Sequence, residues 1–414
     1  MLRFLNSREL GVNDPLVFYR AESTRRVLNL GLSEEKSVEK QFTGNVNTLD
    51  VDLIEKRYLL AGGADGYIII YDTFNTSGSV KYTCPSVGTI ALNNRHRHKF
   101  HVDTVLWYPL DTGMFTSSGT DCLLKVWDTN RLKPADEYQF SGIVYNHHMS
   151  PIATRHCLIA VACQSSSVKL VDLKSGSATH GLKGHSKGVY SVKWSPYNEF
   201  TLASAGADCK ILLWDIRNAK GSLLEFDQYN GKPPENTAGS DCTAHSRPVT
   251  GLQFSSDGLW LVSCGIDKMI RVWCTSTGRK TNVDIPLAYP SKKTAQFAVS
   301  QGCSNNLIFM PNGKSVDVFD MTTGKLQYAL NGHFKQAICC YYHPDYHELY
   351  SGGSDRNILV WTSQTHNNHI NYIVKKTVKR QKLDTQTLPN TTTSNVEQTV
   401  SSATADNWSS DEET

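Results

Sequence analysis

Four tryptophans, Trp127, Trp214, Trp273 and Trp361, each stand six residues after an aspartate (Asp121, Asp208, Asp267, Asp355). Each of those aspartates follows a serine by four: Ser117, Ser204, Ser263 and Ser351. A histidine precedes each aspartate by 22 or 23 residues (His98, His185, His245, His333), and nine residues after each histidine comes an aromatic, Trp107, Trp194, Phe254 or Tyr342. A template that recurs with so little drift is one supersecondary unit written several times, and it constrains the architecture before any other signal is weighed. Such a chain is a platform first and an enzyme only on further evidence.

Within a unit the pattern alternates, as in 190–194, 200–204 and 210–214, which predicts short antiparallel strands of period two. Between the second and third strands lies Ala205-Gly206-Ala207-Asp208, where Gly206 is expected to permit a tight turn. Gly184-His185 with Trp214-Asp215, Gly332-His333 with Trp361, Ala244-His245 with Trp273, and Trp127-Asp128 resemble the WD-repeat family. That resemblance implies that His, Ser, Asp and Trp of one blade form a hydrogen-bonded chain, so these residues are structural candidates and not catalytic ones.

Three weaker copies fill the gaps. Asp65 precedes Tyr71-Asp72 by the same six residues, while the third and sixth units end in Val171-Asp172 and Phe319-Asp320 without the aspartate turn. The terminal aromatic or apolar positions 71, 127, 171, 214, 273, 319 and 361 are then 42 to 59 residues apart. Seven such units predict an all-β fold, a seven-bladed WD-repeat β-propeller that leaves no long edge exposed. The extra length at Thr73 to Val87 and Gly221 to Thr243 reads as elongated polar loops. The third and sixth blades, lacking the tetrad, are expected to be the loosest.

Composition fits this reading. The 414 residues carry 42 basic and 39 acidic side chains, a formal charge of +3, so no global field recruits nucleic acid and no direct nucleic-acid binding is expected. Eleven cysteines are scattered without a CxxC pair, and Cys163, Cys264 and Cys340 fall on apolar strand runs, which predicts reduced core cysteines rather than disulfides or zinc. No apolar run approaches the ~18 residues of a membrane span, so no membrane partner is expected.

Domain organisation follows as residues 1–36, an N-terminal helical arm; 37–362, the propeller; and 363–414, a tail. In the arm, Leu2, Phe4 and Leu5 form an apolar cluster, and Asp14-Pro15 predicts a helix cap followed by a helix with Leu16, Tyr19, Ser23, Val27 and Leu30 at three-and-four spacing, ending at Gly31. Leu2, Phe4 and Leu5 at an extreme terminus call for a groove on the propeller or on a partner. The tail is rich in Thr, Ser, Asn and Gln and is expected to be disordered. It holds a basic run, 375–382, that resembles a nuclear import signal, and an acidic serine cluster at Ser409 and Ser410 suited to phosphorylation.

Catalytic motifs fail on context. Gly184-His185-Ser186-Lys187-Gly188 matches G-x-S-x-G formally, yet the nucleophile elbow needs a strand running into a helix, whereas a strand follows here. His343 and His347 have the spacing of a zinc helix, but Pro344 breaks it and the glutamate is missing. No phosphate loop is present. The expectation is a protein with no catalytic residue, no metal and no cofactor.

Binding remains. Trp214-Asp215-Ile216-Arg217 resembles the extended Trp-Asp-x-Arg box of substrate receptors for cullin four ubiquitin ligases, in which Asp215 and Arg217 would lie on the side of the disc that meets the multi-propeller, damaged-DNA-binding adaptor of the ligase. Arg217 offers a fork of donors for carboxylates or carbonyls. Segments 20–28, 107–118, 147–151, 172–176 and Trp408-Ser409-Ser410 are together similar to the Cockayne syndrome A family. This resemblance implies a nuclear, non-catalytic substrate receptor in transcription-coupled nucleotide excision repair. Its implied partners are the cullin four ligase adaptor, bound through Leu2, Phe4, Leu5, Leu16, Asp215 and Arg217, the Cockayne syndrome B ATPase, the UV-stimulated scaffold protein and the stalled RNA polymerase II complex. The alternative is a general nuclear WD-repeat scaffold without a ligase link.

Overall fold

The computed structural model describes residues 6, 7, 9–11, 14–75, 77–218, 221–231, 243–290, 295–300 and 306–364. Leu2, Phe4, Leu5, the basic run 375–382, Ser409 and Ser410 lie outside the described residues.

Alternating residues send one side chain into the blade and the next to its other face, and seven four-stranded antiparallel sheets result. With strands lettered a to d from the innermost outward, blade 1 runs Val46–Val51, Tyr58–Gly63, Ile68–Asp72 and Ser86–Ile90; blade 4 runs Val189–Trp194, Thr201–Gly206, Ile211–Asp215 and Leu224–Glu225. The innermost strands of blades 2, 3, 5, 6 and 7 are Val102–Trp107, Val144–Met149, Val249–Phe254, Ala298–Val299 and Ala337–His343. Apolar clusters fill the seams, and the cluster holding Val46 and Leu49 of blade 1 also holds Cys339 and Tyr350 of blade 7, so the ring closes.

Closure depends on the N-terminal segment. Leu30–Leu32 is the outermost strand of blade 7, antiparallel to Ile358–Ser363, with Leu30 opposite Ser363 and Leu32 opposite Trp361. A boundary at 36/37 therefore cuts through the seventh blade, because the strand that completes it comes from the far end of the chain. Two stretches expected as loops also differ. Leu224–Glu225 lies within 221–243 and is the outer strand of blade 4, followed by the fully buried Phe226 against Trp273; Tyr82–Cys84, within 73–87, pairs in parallel with Lys36–Val38. Strands of two or three residues are too short to show a period.

The helix Pro15–Leu28 begins where the sequence places it: Asp14 accepts a hydrogen bond from Leu16 N at 2.8 Å and Pro15 takes the first position. It stops at Leu28 with Asn29 as its cap, short of Gly31, because the chain turns there into the closing strand. The third and sixth blades, expected to be loosest, each have four paired strands, and their central strands Ile159 to Val161 and Ile308 to Phe309 are fully buried.

Candidate partner-docking face

In a meandering blade, the a–b and c–d connections emerge on one face of the ring and the d–a and b–c connections on the other. The repeated polar residues occupy the d–a/b–c face. In blade 4, Trp214 Nε1–H donates to Ser204 Oγ at 2.7 Å, Ser204 Oγ and His185 Nε2 are 2.7 Å apart, and His185 Nδ1 lies 2.9 Å from Asp208. The same chain links Trp127, Ser117, His98 and Asp121 (2.7, 2.6 and 2.9 Å), Trp273, Ser263, His245 and Asp267 (2.8, 2.7 and 3.0 Å), and Trp361, Ser351, His333 and Asp355 (2.8, 2.8 and 3.0 Å). Burial by itself would raise the Asp208 and Asp121 carboxyls, but the hydrogen bond from His185 or His98, the histidine charge and two backbone N–H donors together outweigh it, and both lie below the usual range.

The turn is made differently from the sequence expectation. The residue after each tetrad aspartate, Cys122, Cys209, Lys268 or Arg356, has φ between 62 and 66°, whereas Gly206 does not take the left-handed conformation. Gly206 is instead a close approach, since a Cβ there would come within 2.7 Å of Gly188 O. In blade 1 no histidine is needed. Asp65 accepts from Thr43 N, Thr43 Oγ1 and Gly44 N, and with Ala61 at the serine position the buried Tyr71 hydroxyl has no partner among the described residues. Ser186 sits in the His185 corner with its N–H on Asp208, which leaves no elbow.

The opposite face carries exposed apolar side chains among its charged loop residues. Every described a–b loop displays at least one large apolar side chain: Leu53 and Ile54 in blade 1, Leu110 in blade 2, Ile152 in blade 3, Tyr197 in blade 4, Leu259 in blade 5 and Tyr346 in blade 7, with Tyr197 81% exposed. Sequence reasoning missed this ring because its members stand singly, one per repeat, in loops. A single exposed apolar residue signals nothing, while a contiguous patch marks an interaction site.

The helix joins this face. Ser23 and Val27 are buried, Tyr328 Oη donates to Val27 O, and Tyr19 approaches His347 of the blade 7 a–b loop with ring centroids 6.4 Å apart. Its first turn stays uncovered: Leu16 is 64% and Phe18 53% exposed, with Val17 and Tyr19 alongside. Asp215 and Arg217 lie at the c–d connection of blade 4, on the same face but three blades from the helix rather than beside it. The Arg217 fork is already filled. Nε and Nη2 donate to the two Asp215 oxygens at 3.0 and 2.6 Å, and the guanidinium lies over the Phe200 ring at 4.6 Å, because a two-residue offset past a strand end folds the arginine back on its own aspartate. The side chain remains 60% exposed, fixed as a flat cationic plate. Among the described residues no cluster of three His, Cys, Asp or Glu side chains is suited to a metal.

Comparison with known proteins bears on this arrangement. The WD domain, G-beta repeat family matches residues 176–215, 237–274 and 324–362, which lie at blades 4, 5 and 7. WD repeat-containing protein ATCSA-1 of Arabidopsis thaliana is 32% identical, over 87% of this chain and 95% of that protein. Radiation-sensitive protein 28 of Saccharomyces cerevisiae is 27% identical over 42% of this chain and 38% of its own, and histone acetyltransferase type B subunit 2 of Candida glabrata is 24% identical over 62% and 60%. The chain belongs to the WD-repeat family, as a member of the Cockayne syndrome A type.

Proposed function

We propose that this protein is the nuclear, non-catalytic substrate-recognition subunit of a cullin four RING ubiquitin ligase acting in transcription-coupled nucleotide excision repair at stalled RNA polymerase II. The ligase adaptor docks on the a–b/c–d face and the N-terminal arm, and the opposite face presents repair or transcription targets, among them the Cockayne syndrome B ATPase and the UV-stimulated scaffold protein. The mechanism is proximity. Holding a target lysine near a charged conjugating enzyme raises effective concentration without an acid or base from this chain.

One observation carries the reading. The helix Pro15–Leu28 is anchored by Ser23 and Val27 yet leaves Leu16, Val17 and Tyr19 more than half exposed, next to a face whose loops each display an apolar side chain in the six described blades. A helix that merely sealed the propeller would bury that turn. Kinship with ATCSA-1 over nearly its whole length supports the assignment. Capture of the purified cullin four adaptor by the full chain, and loss of capture on deleting residues 1–20 or on changing Leu2, Phe4 and Leu5 together to serine, is the expected result. Undiminished capture by both variants overturns the proposal.

A further inference from the structure

The penultimate residues of five innermost strands, Asp50, Leu106, His148, Lys193 and Gln253, form one ring around the channel with Tyr341, which stands two residues before the end of the blade 7 strand. They line a cavity of about 190 Å³ at the mouth on the a–b face. Each stands between two buried neighbours, as Lys193 does between Val192 and Trp194, so the strand's alternation aims it at the channel.

The ring holds more donors than acceptors. Asp50 Oδ2 already accepts Trp107 N–H at 2.7 Å. His148 Nδ1 accepts Trp194 N–H at 3.0 Å, which leaves the ring proton on Nε2, and burial holds its pKa well below the usual value, so this histidine is neutral. Lys193 is the exception. Burial depresses its pKa to about 8, and Asp50, the carboxyl it feels through space and itself pushed up to about 7 by burial, makes no hydrogen bond to it among the described residues. An ammonium withdrawn from water without a hydrogen-bonded counter-ion costs the fold stability, and the neutral Leu106 and Gln253 at equivalent positions show that the ring does not require a charge there.

We propose that this mouth is the polar centre of a protein interface and takes the carboxylate of an acidic side chain from the docked partner, seated on Lys193 Nζ with His148 Nε2–H and the Gln253 amide as further donors. The occupant is protein-borne because the mouth is collared by exposed Leu53, Leu110, Tyr197, Leu259 and Tyr346. A small free anion has no use for such a collar, whereas an interface needs it to exclude water around a buried charged contact. The inference rests on this face docking a protein, and not on that protein being the ligase adaptor.

The test is calorimetric titration of the full chain with the peptide acetyl-Leu-Gly-Glu-Gly-Leu-amide, its Glu→Gln counterpart and free glutarate. The Glu peptide is expected to bind about tenfold or more tighter than the Gln peptide, Lys193→Met to erase the difference and Lys193→Arg to retain part of it. Equal binding of the two peptides by the unmodified protein, or a preference that survives Lys193→Met, overturns the site. Glutarate binding as tightly as the Glu peptide overturns the protein-borne source. Failure of adaptor capture together with a Lys193-dependent preference removes the ligase reading alone; capture without the preference removes this site alone.

Discussion

Ser204→Ala tests the idea that the tetrads lock the blades. Ser204 Oγ is the shared joint of the blade 4 chain, accepting from Trp214 Nε1 and reaching His185 Nε2, both at 2.7 Å. The His185 ring is 0% exposed and Trp214 2%, so neither nitrogen can exchange its lost partner for water. Two buried groups are orphaned at about 1–3 kcal/mol each, which gives a loss of about 2–6 kcal/mol. In a chain of this size each kcal/mol lowers the melting temperature by ~2 °C, so a drop of about 4–12 °C is expected. Urea denaturation followed by tryptophan fluorescence measures the free energy, with calorimetry for the melting temperature. Ser186→Ala is the control, because Ser186 joins the corner through its backbone N–H and its loss is expected to cost under about 0.5 kcal/mol. A Ser204→Ala variant as stable as that control would refute the locking role.

Blade 1 gives the reciprocal case: Tyr71→Phe removes an orphaned buried hydroxyl and is expected to be neutral or to stabilise by up to about 1 kcal/mol in the same urea assay. Deleting residues 1–32 removes the strand paired with Ile358–Ser363 and is expected to lower the melting temperature sharply and cause aggregation, whereas deleting residues 1–13 leaves the melt unchanged. Asp121, Asp208 and Asp267 are held below their unfolded value of about 3.9, so their contribution is full above that pH and is lost as pH falls through the folded pKa values; in pH-jump denaturation the stability lost by Asp208→Asn relative to the unmodified protein is expected to hold from pH 7 to 5 and to shrink below about 4. Lys193 has a folded pKa of about 8 against about 10.4 unfolded, so its charge destabilises the fold fully below pH 8 and not above 10.4; Lys193→Met removes that cost but also the charge that favours ionised Asp50, itself raised to about 7 by burial, so the gain at pH 7 is expected to stay under about 1 kcal/mol and to vanish near pH 10.

Legibility of the sequence depended on how many positions carried each signal. The four tetrads were readable because residue types and spacing repeated together, and the Asp14-Pro15 cap because its chemistry is local. Leu30–Leu32 was not, since three residues cannot display a period and their partner lies over 300 residues away in sequence. The αL turn was assigned to Gly206 on propensity, while the geometry places it at Cys209, strained but bracketed by Asp208 and its hydrogen bonds. Thr43 standing in for a histidine was hidden because backbone N–H groups, which every sequence has, supply three of the four donors to Asp65. At Arg217 the residue was legible but its partner was not: that Asp215 fills the fork depends on how the chain leaves the strand.

The two faces are held rigid by different chemistry, and that difference bears on which of them is preformed for a partner. On the d–a/b–c face the histidines reach across to the next turn and consume the polar groups that define it. On the a–b face the loops of blades 1, 2, 4, 5 and 7 are each closed by a side chain of their own, and that of blade 3 by Glu199 of blade 4. The buried Asp52 accepts four backbone N–H groups from Glu55 to Tyr58, Ser195 Oγ accepts from Tyr197 and Asn198, Ser255 Oγ from Trp260, Asp111 from Gly113, and His343 from Tyr346. These bonds hold Leu53, Tyr197, Leu259, Leu110 and Tyr346 outward on loops that do not have to order on binding. Burying preformed apolar groups returns the full transfer free energy, ~25 cal/mol per Å², with little loop entropy to subtract. A face built only to be solvated would gain nothing from such capping, and this economy of ordering is the physical reason that the a–b face is suited to docking a protein.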